Sequence, residues 1–180
     1  MLIDAATSCL LVIDIQAKLN PVMFDPARAP KGAAKLMLGA DILGVPTVVT
    51  EQYSKGVGPT VDDLQDFMPE GSPMEKNTFS CVADDAFMTR FRALGKKQAV
   101  IAGIEAHICV LQTSLQLLGE GVEVFVVEDA TASRTVDNHR AGLERIRQEG
   151  GRIVSVEMVL FEWLKRSGTP EFKQISQLIK

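Results

Sequence analysis

Five short runs along the chain are almost wholly apolar and rich in β-branched residues: CLLVID at 9 to 14, PTVVT at 46 to 50, AVIAGI at 99 to 104, VEVFVVED at 122 to 129 and RIVSV at 152 to 156. Unbroken apolar runs of this length predict strands covered on both faces, where strict alternation would predict one wet face. Between the runs, apolar positions recur at helical spacing. APKGAAKLMLGADILG puts Ala33, Leu36, Met37, Ala40 and Leu43 on one stripe and stops at Gly44, with Pro46 beyond, which is how a helix ends. DDAFMTRFRALG repeats this with Phe87, Phe91 and Leu94 before Gly95, and CVLQTSLQLLGEG and VDNHRAGLERIRQEGG also close on glycine. Strands alternating with helices over short connections predict right-handed crossovers and a parallel sheet with helices on both faces. Neither repeat, low-complexity tract nor long linker divides the chain, so residues 1 to 180 read as a single α/β domain.

In such a sheet ligands bind beyond the carboxyl ends of the strands. VTEQYSKGVGPT, residues 49 to 60, breaks all periodicity with Lys55, Gly56, Gly58 and Pro59 and is expected to loop over that edge. Three chemically able residues fall near the same edge: Asp14 in LLVIDIQ, Lys76 in MEKNTFS and Cys109 in GIEAHICVLQTSL. An acid closing an apolar strand needs a partner, and Lys76 supplies one. If a helix starts near Ile108, its unpaired N–H groups and dipole favour a Cys109 thiolate, and Lys76 favours it further. Asp14 would take the thiol proton and return it to the leaving group. Backbone N–H groups of the GIEAHIC turn would hold the oxyanion.

Composition narrows the partners. A net charge of −4 with both signs interspersed provides no basic stripe for nucleic acid or anionic lipid, leaving small molecules or proteins. Three cysteines, Cys9, Cys81 and Cys109, form no CxxC pair, which argues against a disulfide framework and for a reducing compartment. The start, MLIDAATSCLLVIDIQ, has no secretory pattern, and LLVIDI is too short for a bilayer, so the expectation is a soluble, cytoplasmic protein.

Taken together, VIDIQ, the Lys of EKNTFS, AGIEAHICV before a helix, and VFVVEDATASR resemble the isochorismatase-like cysteine hydrolase superfamily over nearly the whole chain. VTEQYSKGVGPT, GIEAHICVLQTSLQLL and the terminal EFKQISQLIK are most similar to the isochorismatase domain-containing proteins. The resemblance implies a three-layer α/β/α sandwich with a mainly parallel, about six-stranded, Rossmann-like sheet. It implies Asp14, Lys76 and Cys109 as catalytic triad, a cis peptide from Ile104 to Glu105, and an oxyanion hole from the N–H groups of Glu105 and Cys109. It implies a homo-oligomer, dimer or higher, and no metal or organic cofactor. Nicotinamidases of the superfamily add an Asp and histidines after the second strand to hold a metal. This chain has TEQYSKG there and only His107 and His139 in all. True isochorismatases act on a vinyl ether without a cysteine nucleophile, whereas Cys109 is present.

The leading expectation is therefore hydrolysis of a small amide or other C–N bond through a Cys109 thioester. The alternatives are a non-catalytic binding or regulatory module and a redox-sensing thiol protein. Gln16, Glu51, Gln52, Tyr53 and Phe79 are the candidate substrate contacts. Cys9, inside a strand, reads as structural, Cys81 as a neighbour of the pocket, His107 as a packing or hydrogen-bonded residue and His139 as solvated. Val159, Leu160, Phe161, Trp163 and Leu164, followed by Phe172, Ile175, Leu178 and Ile179, form an apolar load large enough to leave a face for a second subunit.

Overall fold

A computed structural model describes residues 1 to 179. Six strands, β1 (Ser8–Ile13), β2 (Thr47–Gln52), β3 (Met74–Lys76), β4 (Gln98–Ile104), β5 (Glu123–Ala132) and β6 (Arg152–Val154), form one sheet in the order β3-β2-β1-β4-β5-β6. Every pairing is parallel. The helices are α1 (Arg28–Leu43), α2 (Ser54–Val57), α3 (Asp85–Ala93), α4 (Leu111–Gly119), α5 (Val136–Gln148), α6 (Val156–Leu164) and α7 (Pro170–Leu178). The five apolar runs are strands as expected. The sixth strand, Met74–Lys76, is three residues long with only its last residue buried, too short for any periodicity to show.

The central strands are buried on both faces and divide the interior in two. Leu10, Val12, Val100, Ala102, Phe125 and Val127 pack with α1, α6 and α7. Cys9, Leu11, Ile13, Ala99, Ile101, Val124 and Val126 pack with α3, α4 and α5. α1 lies against β5 at Gly32, where a Cβ would come within 2.6 Å of the Ala130 Cα.

The chain winds outward from β1 through β2 to β3, then returns to the middle and winds the other way from β4 through β5 to β6. The strand order thus reverses between β1 and β4, and a crevice opens beyond their carboxyl ends. At this seam Gly103 of β4 faces Ile13 of β1 with φ of 133°, and a Cβ there would run into the Ile13 carbonyl and N–H. Only glycine permits that approach.

Candidate active site

Asp14 follows β1 and sits in the left-handed region at φ 55°, a conformation Asp tolerates better than most residues. The turn directs a fully buried carboxylate across the crevice. Oδ1 accepts from the Thr50 hydroxyl at 2.7 Å and Oδ2 from the Lys76 ammonium at 2.7 Å. Lys76, at the end of β3 and 3 % exposed, also donates toward Gln52 Oε1 at 2.9 Å and the carbonyls of Thr78 and Phe79 at 3.1 Å. Burial works against its charge, but the charge and hydrogen bond of Asp14 oppose it, and the ammonium is held above its ordinary range.

Cys109 lies in a π-helical turn, Ala106–Val110, that runs into α4, so the helix starts two residues earlier than Ile108. The peptide bond from Ile104 to Glu105 is cis. The Glu105 carbonyl accepts from the N–H groups of Ile108 at 3.0 Å and Val110 at 3.3 Å, on either side of Cys109. The thiol is 6 % exposed, against none for Cys9 and Cys81. The expected favouring of its thiolate does not hold. Burial pushes the Cys109 thiol well up, the charge of Asp14 and its hydrogen bond to the thiol proton add to that, and Lys76 opposes without prevailing. These influences favour the protonated thiol, beside the Asp14 carboxyl group.

The sequence-derived contacts divide. Gln16 is fully buried, accepts from the Gln52 N–H at 2.7 Å and donates to the carbonyls of Gln52 and Gly58. Glu51 accepts from the Thr60 N–H at 2.6 Å and hydroxyl at 2.7 Å. Both side chains are spent fastening the loop expected over this edge. Gln52 reaches Lys76, while Tyr53 and Phe79 stand half exposed at the rim, 51 % and 57 %. His139 is not solvated. It is 6 % exposed, its Nε2 lies 3.1 Å from Thr131 Oγ1, and its ring meets Phe24 edge-on. It belongs to the inner stripe of α5 with Gly142, Leu143 and Ile146, a spacing already visible in the sequence.

Thr50 and Arg134 escaped the sequence reading, whereas Cys81 lies beside the site as expected. Thr50 is paired in register with Ile13, and its place directly after the apolar Val48–Val49 pair of β2 was the available signal. Cys81 is buried against it, Sγ to Oγ1 3.9 Å, with its thiol pushed up to about 11 by burial and Asp14. Arg134, within the quoted VFVVEDATASR, binds the Glu105 carboxylate. Cys9 is inert in β1, raised by burial to about 12. A cavity of about 500 Å³ lies at the opposite, amino edge of the sheet, between Met37, Asp41, Val45, Thr47 and Phe67, and touches none of these groups.

The sequence profile described as Isochorismatase domain matches residues 8 to 158. Isochorismatase domain-containing protein 2 of Danio rerio is 37 % identical over 174 residues, 96 % of this chain and 86 % of its own length. The solved structure of MAR1 Ribonuclease from Caenorhabditis elegans superposes with a TM-score of 0.92 at 33 % identity, covering 99 % of this chain and 92 % of that one. YcaC from Pseudomonas aeruginosa, solved with hexane-2,5-diol and covalent acrylamide, gives 0.91 at 26 % identity over 98 % and 91 %.

Proposed function

Since the chain belongs to the isochorismatase domain family, we propose that within its hydrolase fold it cleaves a small carbonyl compound at an amide or other C–N bond through a thioester on Cys109. The observation that carries this reading is the buried Asp14–Lys76 pair at 2.7 Å beside the buried thiol whose ionisation both groups perturb. The Cys109 sulfur attacks the carbonyl carbon as its proton passes to Asp14. The N–H groups of Glu105 and Cys109 receive the oxyanion. Collapse breaks the C–N bond, and Asp14 returns the proton to the leaving nitrogen. Water then attacks the thioester, one proton passing by way of Asp14 back to sulfur, and the acid leaves. Lys76 holds Asp14 in place by its 2.7 Å contact for the first step, and the reading assigns no step to a metal or organic cofactor. Tyr53 and Phe79 give the mouth an aromatic rim suited to a neutral, partly apolar substrate.

The name of the Caenorhabditis elegans structure raises RNA as a substrate. Against it for this chain stand the net charge of −4 and the commitment of the site's cations, Lys76 to Asp14 and Arg134 to Glu105. The redox-sensor alternative loses support from the upward direction in which burial and Asp14 move the Cys109 thiol, since oxidation proceeds through the thiolate. No helix among the described residues is long and apolar enough to cross a membrane. Self-association is supported by Met1, Leu2, Met158 and Phe161, all exposed, with the Ile3 N–H bonded to Glu162 beside Phe161.

The test is a screen of small amides against wild type, Cys109→Ala and Asp14→Asn, with mass spectrometry for an acyl adduct and acrylamide as an independent thiol probe. Turnover and an adduct on Cys109, both lost in Cys109→Ala, are expected. Turnover that persists in Cys109→Ala would remove the thioester from the mechanism.

A further inference from the structure

The loop that leaves β5 grips the Cys109 turn at points the proposed chemistry does not use. Glu105, the first residue after β4, is 3 % exposed. Its carboxylate accepts from the Arg134 backbone N–H at 3.0 Å, from Arg134 Nε at 3.1 and 3.2 Å, and from Nη2 at 2.7 Å. Two residues on, His107 Nδ1 lies 3.0 Å from the Ser133 hydroxyl and 3.9 Å from the Glu105 carboxylate. The same loop opens into α5, which rests on the turn at Gly142. A Cβ there would come within 2.9 Å of the Ala106 carbonyl oxygen and 2.8 Å of the His107 Cα.

An arginine fork on a carboxylate fixes direction as well as distance. Here the direction is passed on, because the Glu105 carbonyl holds the N–H groups of Ile108 and Val110, the neighbours of the thiol-bearing residue. Glu105 is thus tied by its side chain to the β5 loop and by its main chain to both flanks of Cys109. Arg134 itself is half exposed, so the clamp has a buried anionic half and a solvent-facing cationic half. Removing the cation would leave a buried carboxylate with one N–H and a partly buried histidine for company, an arrangement that costs far more than losing the pair as a whole.

We propose that Arg134 is a positioning residue, acting through the Glu105 carboxylate to hold the Cys109 turn in its reactive geometry. The clamp stands whatever the turn does, while its catalytic consequence rests on the reading of Cys109 as nucleophile. The charged and titratable groups facing Glu105 are Arg134 and His107. Burial raises the Glu105 pKa, but the Arg134 bonds and charge, with His107, outweigh it and hold it below its ordinary 4.5. Its contribution is therefore complete above 4.5 and fades as pH falls through the lower folded value. Without the guanidinium, burial acts with less opposition and moves the Glu105 pKa up, so the cost of the stranded carboxylate is full at neutral pH and is relieved as pH falls and the group protonates.

The experiment is hydrogen exchange followed by mass spectrometry from neutral to acidic pH, on wild type, Arg134→Met, Arg134→Lys and the double variant Glu105→Gln/Arg134→Met. Protection of residues 106 to 111, referred to β1 as internal standard, is expected to fall about tenfold or more in Arg134→Met at neutral pH, the loss shrinking as pH falls and Glu105 protonates. Arg134→Lys should lie between, since it keeps the charge and loses the fork, and the double variant should recover part of the loss. Unchanged protection and pH dependence in Arg134→Met would overturn the proposal, as would an equal loss in β1. If Arg134→Met does not fold, Arg134→Lys decides, a loss confined to the turn supporting the clamp and wild-type protection refuting it. Turnover by Cys109→Ala, measured alongside, separates the readings. A loosened turn with Cys109-independent turnover leaves the clamp and removes the nucleophile, and a rigid turn with Cys109-dependent turnover does the reverse.

Discussion

Replacing Lys76 with Met keeps most of the side-chain volume and deletes the charge that Asp14 is built around. Lys76 directs its ammonium to four acceptors, Asp14 Oδ2 at 2.7 Å, Gln52 Oε1 at 2.9 Å and two carbonyls at 3.1 Å, and is 3 % exposed beside a carboxylate with no exposure at all. Breaking such a pair from one side strands an ion in a poorly solvated site, which costs about 3–5 kcal/mol. For a domain of this size, each kcal/mol moves the melting temperature by about 2–4 °C, so Lys76→Met should melt roughly 6–20 °C lower. The informative comparison is Asp14→Asn/Lys76→Met. With the ion removed as well, the double variant should be more stable than Lys76→Met alone, a non-additivity that only a direct interaction produces. Urea and thermal unfolding of the four proteins measure the cycle. Lys76→Met within about 0.5 kcal/mol of wild type, the range of an unremarkable surface change, would refute the reasoning, and so would two substitutions whose effects simply add.

Asp14→Asn should abolish turnover while lowering the pH at which Cys109 ionises, because Asp14 now raises that pKa by charge and hydrogen bond. Thiolate absorbance against pH checks this, and an unchanged or higher midpoint would contradict it. Gly142→Ala should cost about 1–3 kcal/mol through overpacking and slow alkylation of Cys109. Gly119→Ala, where a Cβ meets nothing within 4 Å, should be neutral or stabilising by up to about 1 kcal/mol. Turnover should survive exhaustive chelation, since no group of three His, Cys, Asp or Glu among the described residues is placed to hold a metal ion. Chelator-dependent loss restored by zinc or iron would overturn that expectation. Light scattering over a dilution series should give a mass above the 19.6 kDa of one chain, and a monomer at every concentration would remove the self-association reading.

What could be read from the sequence was set by how far each signal repeats. The five apolar runs and the glycine-stopped helices announce themselves because neighbouring residues agree on one pattern. β3 does not, because MEK holds one apolar residue in three, whereas the equally short β6 carries Ile153 and Val154 side by side. Asp14, Lys76 and Cys109 were legible as residue types at strand ends, and the family resemblance gave them their order. The ionisation of Cys109 was misjudged because a helix terminus and a lysine can be seen in a sequence, whereas burial and the distance to Asp14 are tertiary quantities. Gln16 and Glu51 show the same limit. A polar residue near a site reads as available for substrate until the structure reveals that Gly58, Gln52 and Thr60 have already used its atoms.

The seam between β1 and β4 also sets an order of events as the chain leaves the ribosome. β1, β2 and β3 emerge first and hold Asp14 and Lys76, but β1 is then an edge strand with its Ser8–Ile13 backbone bare on the side that Gln98–Gly103 will occupy. An apolar edge of that kind invites pairing with any other strand, and its proper mate is far along the chain, so closure is slow. Cys109 arrives just after the strand that ends this exposure. No nascent chain therefore holds Asp14, Lys76 and Cys109 together before that apolar edge has its mate, and half-made molecules carry the hazard of the fold without its complete site.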